Sequence, residues 1–166
     1  AWELFGTAVN KDLVGTFGNL VNRTMTQVSR HFDDVVPDGG EPEQVEAELA
    51  ERVAARLDEY LGHMDDLDFR KAAAALRALW AEGNVYLETR EPWKTVKVDR
   101  ERTACTLRTA LGLVALIAVA SEPWVPAAVE RLKAAFVDVD WSSLRLDAAL
   151  ASATLVRPGD RLEPPG

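Results

Sequence analysis

Apolar residues return every three or four positions along most of the chain, and no stretch sustains the strict alternation of a half-buried strand. Leu13, Val14, Phe17, Leu20, Val21, Met25, Val28 and Phe32 form one stripe of a long helix, expected from an N-cap at about Asn10 to about His31. Trp2, Phe5 and Val9 suggest a short lead-in turn or helix before it. The run Val35-Val36-Pro37-Asp38-Gly39-Gly40 must break the pattern, because Pro37 restricts its predecessor and the glycines favour irregular backbone. A second helix follows from about Pro42, a first-turn proline, to Leu61. Asp66 or Asp68 caps a third, over about 69–90, that ends before Pro92. Asp99 caps a fourth that runs to Ala120, where Ser121-Glu122-Pro123-Trp124-Val125-Pro126 stops it. A shorter fifth, about Pro126 to Phe136, turns Val129, Leu132, Ala135 and Phe136 inward, and Trp141 to Ala151 reads as one more short helix. The pattern predicts an all-α bundle of about five helices over residues 1–155, with 156–166 as a C-terminal tail.

Composition narrows the class. The chain has 166 residues, 48% hydrophobic and 28% charged, enough for one domain with a sizeable core. The longest apolar run, Ala110 to Ala120, is 11 residues against the roughly 20 of a membrane span, so a buried helix and no membrane are expected. Cys105 is the only cysteine, which excludes an internal disulfide and a multi-cysteine zinc site. With no secretory signal at its start, the expected location is cytoplasmic.

The net charge of −8 argues at first against nucleic acid, but it is unevenly spread. Residues 32–68 carry thirteen acidic and two basic groups, whereas residues 69–108 carry nine basic and five acidic. An anionic partner is therefore allowed on one side of the molecule, with the acidic second helix turned away from it.

Enzyme signatures are sparse. His31 and His63 are the only histidines, and neither has a His or Cys at metal-ligand spacing. The phosphate-binding, nucleophile-elbow and dinucleotide glycine motifs are absent. Asp65, Asp66 and Asp68, like Asp33, Asp34 and Asp38, read as caps and turn residues, since the glycine and terminal glutamate of a calcium loop are missing. Gly15 and Gly18 sit inside a helical pattern, where close helix packing is the expected reason.

Two constellations suggest a binding surface. Asn19 and Arg23 lie about 40° apart on their helix, roughly opposite the apolar stripe, with Asn22 and Arg30 bordering them. Such planar amide and guanidinium groups suit base edges and phosphates, although an ordinary solvated face gives the same spacing. Farther on, Asn84-x-Tyr86 leads into Arg90-Glu91-Pro92-Trp93-Lys94, where proline stiffens the backbone before an aromatic ring flanked by cations. That is a stacking platform for an unpaired base, unless Trp93 simply folds over the bundle end.

Asn19-Leu20-Val21-Asn22-Arg23, Asn84-x-Tyr86, Pro92-Trp93-Lys94, and Pro123 with Pro126, taken in this order and separation, resemble the C-terminal anticodon-binding domain of methionyl-tRNA synthetase. The lead-in Trp2-Glu3-Leu4-Phe5 through Asn10-Lys11-Asp12-Leu13-Val14-Gly15 is similar to the start of that domain. The resemblance implies a class Ia helical bundle that grips the anticodon loop of methionine tRNA and reads CAU. It implies that Asn19 and Arg23 bond the anticodon bases, that Trp93 stacks on the first of them with Pro92 setting its orientation, and that Lys94 meets a phosphate. Asn84 and Tyr86 match the family pattern and are expected to support the loop as much as to touch RNA. The catalytic domain of the family's whole enzyme, which uses ATP and magnesium, has no counterpart in these residues. The chain is therefore expected to bind tRNA without aminoacylating it, with no cofactor of its own and the synthetase's catalytic domain as its protein partner. The alternative is a stand-alone helical interaction module that kept the bundle and lost RNA binding.

Overall fold

A computed structural model describes residues 13–164. The expected N-cap at Asn10 and the lead-in at Trp2, Phe5 and Val9 lie outside the described residues. A π-helical turn, Leu13–Phe17, opens into α1, Gly18–Phe32. Then come α2, Gln44–Asp65; α3, Phe69–Arg90; a single turn, α4, Pro92–Thr95; α5, Arg100–Ser121; and α6, Pro126–Ala135. Among the described residues no strand forms, and the only β-type contacts are two isolated bridges.

The caps explain most boundaries. Asp68 accepts from the Lys71 amide and Asp99 from the Arg102 amide, starting α3 and α5. Glu43 and Glu46 exchange side-chain and backbone bonds at the start of α2, so the helix begins at Gln44 and Pro42 stands just before it rather than in its first turn. α2 also runs one turn past Leu61. The expected helix from Trp141 to Ala151 is instead two 3-10 turns, Trp141–Ser143 and Ala148–Ser152. The Ser143 hydroxyl donates to the Asp140 carbonyl and the Asp147 carboxylate accepts from the Ala149 amide, local bonds that compete with a continuous helix.

α5 is the core helix. It is buried on nearly every side from Thr103 to Ser121 and packs against α1, α3, α4 and α6. By length and composition alone it could cross a membrane, yet 83% of its apolar window lies inside the bundle. Buried polar groups are tied to it: Trp80 Nε1 donates to Ser121 Oγ at 3.0 Å, and Tyr60 Oη to the Ala120 carbonyl at 2.7 Å.

The C-terminal stretch is part of the body rather than a free tail. Val36 and Gly159/Asp160 exchange backbone bonds, Leu162 N donates to Asp34 O, and Glu163 N donates to Ala135 O. Val156 and Leu162 are buried. Two isolated bridges, Val35 with Arg161 and Phe136 with Leu162, join these residues to the α1–α2 connection and the end of α6, a long-range contact that Pro158 and Gly159 do not reveal.

One glycine lies where α1 and α3 come close. A Cβ on Gly83 of α3 would collide with Leu20 Cδ2, so the bare backbone lets the two helices approach closely. The spacing of Gly15 and Gly18 suggests such a role for that pair, but Gly15 is exposed with nothing near its would-be Cβ.

Candidate anticodon-reading face

Leu20 and Gly83 interlock, and their neighbours Asn19 and Asn84 consequently meet at the surface. Asn19 Nδ2 donates to Asn84 Oδ1 at 3.3 Å, and Asn84 Nδ2 donates to the Thr16 carbonyl at 2.9 Å. One turn on, Arg23 Nη2 pairs with Glu88 Oε1 at 2.7 Å. Both pairs are 65 residues apart in sequence, so α1 and α3 run in the same direction here and face each other in register.

Trp93 comes from beyond the end of α3. Glu91 takes a left-handed conformation, φ +48°, which ends α3 through a bond from its amide to Leu87 O. Pro92 then starts α4 at its first position. This stiff corner turns the chain back toward α1 and sets the Trp93 ring under the Arg23 guanidinium, 4.9 Å from ring centroid to Cζ. The expected stiffened loop is thus one helical turn. Trp93 is partly buried against the core with part of its surface open, so it neither disappears into the bundle nor stands free. Lys94 is exposed beside it, paired with Glu91 at 2.7 Å, which raises its pKa.

Gly15, Thr16, Asn19, Arg23, Asn84, Val85, Glu88 and Thr89 line a shallow, open depression of about 500 Å³ on this face. Its walls carry amide, guanidinium, hydroxyl and carboxylate groups, while exposed Val85 supplies an apolar patch. The arrangement can hydrogen-bond a base edge, stack a base, and hold a phosphate near Lys94.

Two of the sequence-derived residues are buried. Tyr86 is 2% exposed and donates its hydroxyl to Glu46 Oε2 at 2.9 Å, so it cannot touch RNA and belongs to the support beneath the face. Its pKa is raised by burial and by the Glu46 carboxylate. The spacing of Leu76, Leu79, Trp80, Gly83, Tyr86 and Leu87 on one side of α3 carried the signal for that inward direction. Pro92 is buried and shapes the corner rather than offering a surface. Conversely, Glu88 was missed. It stands four residues after Asn84 as Arg23 stands four after Asn19, but matching the two spacings requires knowing that α1 and α3 are neighbours.

A helical bundle that gathers an aromatic ring, an arginine, asparagines and an exposed lysine on one open face has the make-up of a domain for unpaired RNA bases. Residues 36–166 match the family model described as the anticodon binding domain of methionyl tRNA ligase, and the chain belongs to that family. It is 49% identical over 135 residues to the methionine--tRNA ligase of Streptomyces avermitilis, an alignment covering 81% of this chain and 24% of the relative. The corresponding protein of Caulobacter vibrioides is 44% identical over 160 residues, covering 95% of this chain and 28% of the relative. The chain therefore spans about a quarter of the length of these curated relatives. Among solved structures, the apo form of Mycobacterium tuberculosis methionyl-tRNA synthetase superposes with a TM-score of 0.82 at 25% identity, over 97% of this chain and 32% of that one.

Proposed function

We propose that this domain reads the CAU anticodon loop of methionine tRNA through Asn19, Arg23 and Trp93, in support of aminoacylation by an ATP-dependent catalytic domain. The observation that carries the reading is the stacking of Arg23 over Trp93 on an open face, with Asn19 one turn away, although Trp93 is remote from both in sequence. Asn19 and Arg23 offer directional donors to base edges. Trp93 offers a surface for a splayed base. Lys94 holds a backbone phosphate, which fixes register without reading sequence. Asn84 orients the Asn19 amide, and Tyr86 and Pro92 act from beneath. The catalytic domain and the cytoplasmic setting of aminoacylation belong to the same reading.

The test is a titration of the protein with a short anticodon stem-loop carrying CAU and with one carrying a scrambled triplet, at low salt because phosphate contacts weaken steeply with ionic strength. Tighter binding of the CAU loop is expected. Equal binding of both would set the reading aside and assign the bundle to protein contact.

Glu88 gives a second expected result. In the free protein its carboxylate already takes up Arg23 Nη2, so an RNA acceptor competes with it for that donor, and its charge also opposes phosphate. A loop that offers Arg23 a full set of acceptors replaces that bond, whereas a mismatched loop does not. Glu88→Gln should tighten the scrambled loop several-fold while changing the CAU loop less, so that the ratio of the two dissociation constants narrows. An unchanged ratio would mean that Glu88 only balances charge.

A further inference from the structure

Beneath the reading face, three helix ends meet on one carboxylate. Glu46, in the first turn of α2, has a side chain only 4% exposed. Its Oε2 accepts from Tyr86 Oη and from Arg90 Nε, both at 2.9 Å. Its Oε1 accepts from Arg90 Nη2 at 3.1 Å and from the Glu43 amide at 2.7 Å, and it lies 3.0 Å from Arg102 Nη2. Glu43 completes the cluster from outside, with Oε1 at 2.8 Å from Arg90 Nη2 and 2.6 Å from Arg102 Nη1. The two arginines bracket the segment that carries the aromatic ring: Arg90 is the last residue of α3, Arg102 lies in the first turn of α5, and Trp93 and Lys94 sit between them. The Thr95 and Thr103 hydroxyls, 2.6 Å apart, add a smaller tie across the same segment.

We infer that Glu46 is a positioning residue for anticodon reading, because by holding Arg90 and Arg102 together it fixes the two ends of the Glu91–Asp99 connection and so the placement of Trp93 against Arg23. The geometry gives the connection little freedom of its own. Pro92 and the left-handed Glu91 fix its entry, and the caps of α5 fix its exit, so a shift of either arginine moves the corner as a unit. The cluster is also sensitive to the loss of its negative charge. Arg102 Nε and Nη2 are both buried without a hydrogen-bond partner, Nη2 facing Glu46 Oε1 as a charge pair rather than a hydrogen bond, so the negative charge of Glu46 and Glu43 is what offsets this buried cation. An amide at position 46 would turn a donor toward one of the guanidinium groups and push them apart.

The inference rests on the proposed anticodon reading, and the experiment separates the two. Glu82 is a matched control: it is a buried carboxylate of α3 that holds Arg52 and Arg56 of α2 at 3.0 and 2.9 Å, about two turns of α3 before Arg90. The measurements are binding of the CAU and scrambled stem-loops, and the indole N–H resonance of Trp93 in the RNA-free protein, identified by its loss in Trp93→Phe. Glu46→Gln should weaken the CAU loop about tenfold with little change for the scrambled loop, and should shift the Trp93 resonance. Glu82→Gln should leave both the ratio and the resonance as in the wild type. If Glu46→Gln does not fold, Arg90→Lys, which keeps the charge but loses the forked contact, should produce the same changes more weakly. A folded Glu46→Gln or Arg90→Lys with wild-type selectivity and an unmoved resonance overturns the inference, as does an equal effect from Glu82→Gln. If the wild type does not distinguish the loops, the anticodon reading is what fails, and the resonance alone decides whether Glu46 places Trp93.

Discussion

Trp93→Ala is expected to lower the affinity for a CAU stem-loop roughly ten- to hundredfold at low salt. Removing a stacked aromatic ring costs about 1–3 kcal/mol per base, and each 1.4 kcal/mol is about a factor of ten in affinity. The substitution also deprives Arg23 of the ring beneath it and leaves Glu88 as its remaining partner on this face. A scrambled loop should lose much less, since it does not engage the ring together with Asn19 and Arg23. Because Trp93 packs only partly against the core, the bundle itself should stay folded, which circular dichroism checks in the same samples. Unchanged CAU affinity in a folded Trp93→Ala protein would remove the ring from the reading site.

The second large effect is on stability in acid. Burial alone would raise the Glu46 pKa, but the Arg90 hydrogen bonds, the Glu43 amide, Tyr86 and the Arg102 charge more than reverse this and lower it from 4.5 to about 2. A carboxylate whose folded pKa is depressed contributes stability that is complete above its unfolded pKa and is lost as pH falls through the folded one. For Glu46 that window runs from pH 4.5 down to about 2, and the contribution is on the order of 3 kcal/mol. Glu82 is shifted the same way, since bonds from Arg56 and Arg52 outweigh its burial, and it acts in the same direction. Urea midpoints should therefore fall steeply over this range, and Glu46→Gln should start lower at neutral pH and show a flatter profile. A wild-type midpoint that holds steady between pH 4.5 and 2 would contradict the cluster as described.

How much of this could be read from the sequence differs by element. α3 begins and ends where Asp68 and Pro92 said it would, and α5 begins after Asp99, because a cap or a proline acts on the backbone within one turn. Boundaries were less legible where two local signals competed. Pro42 suggested a first-turn residue, but the reciprocal Glu43–Glu46 bonds won and moved the start to Gln44. Near the C-terminus, apolar spacing suggested a helix from Trp141, while the local bonds of Ser143 and Asp147 favour short turns. At the proposed reading face, the chemical types of Asn19, Arg23, Trp93 and Lys94 were legible, and so was the stiff corner at Pro92. The depth of Tyr86, the opposing charge of Glu88 and the arginine pair on Glu46 were not, because each depends on a partner at least 40 residues away.

The sequence by itself determined the helical class, most of the helix limits and the burial of the Ala110–Ala120 run, and it singled out the side chains proposed to meet an RNA base. Periodicity, capping and proline geometry are properties of neighbouring residues, so a linear chain already contains them. Only the tertiary structure decided which of those side chains share a face. Gly83 and Leu20 meet where α1 packs against α3, and the same packing has Asn19 beside Asn84 and Arg23 between Glu88 and Trp93. Packing at this precision depends on the shapes of surfaces far apart in the chain, where a missing Cβ changes the distance between helices while leaving the helical pattern as it was.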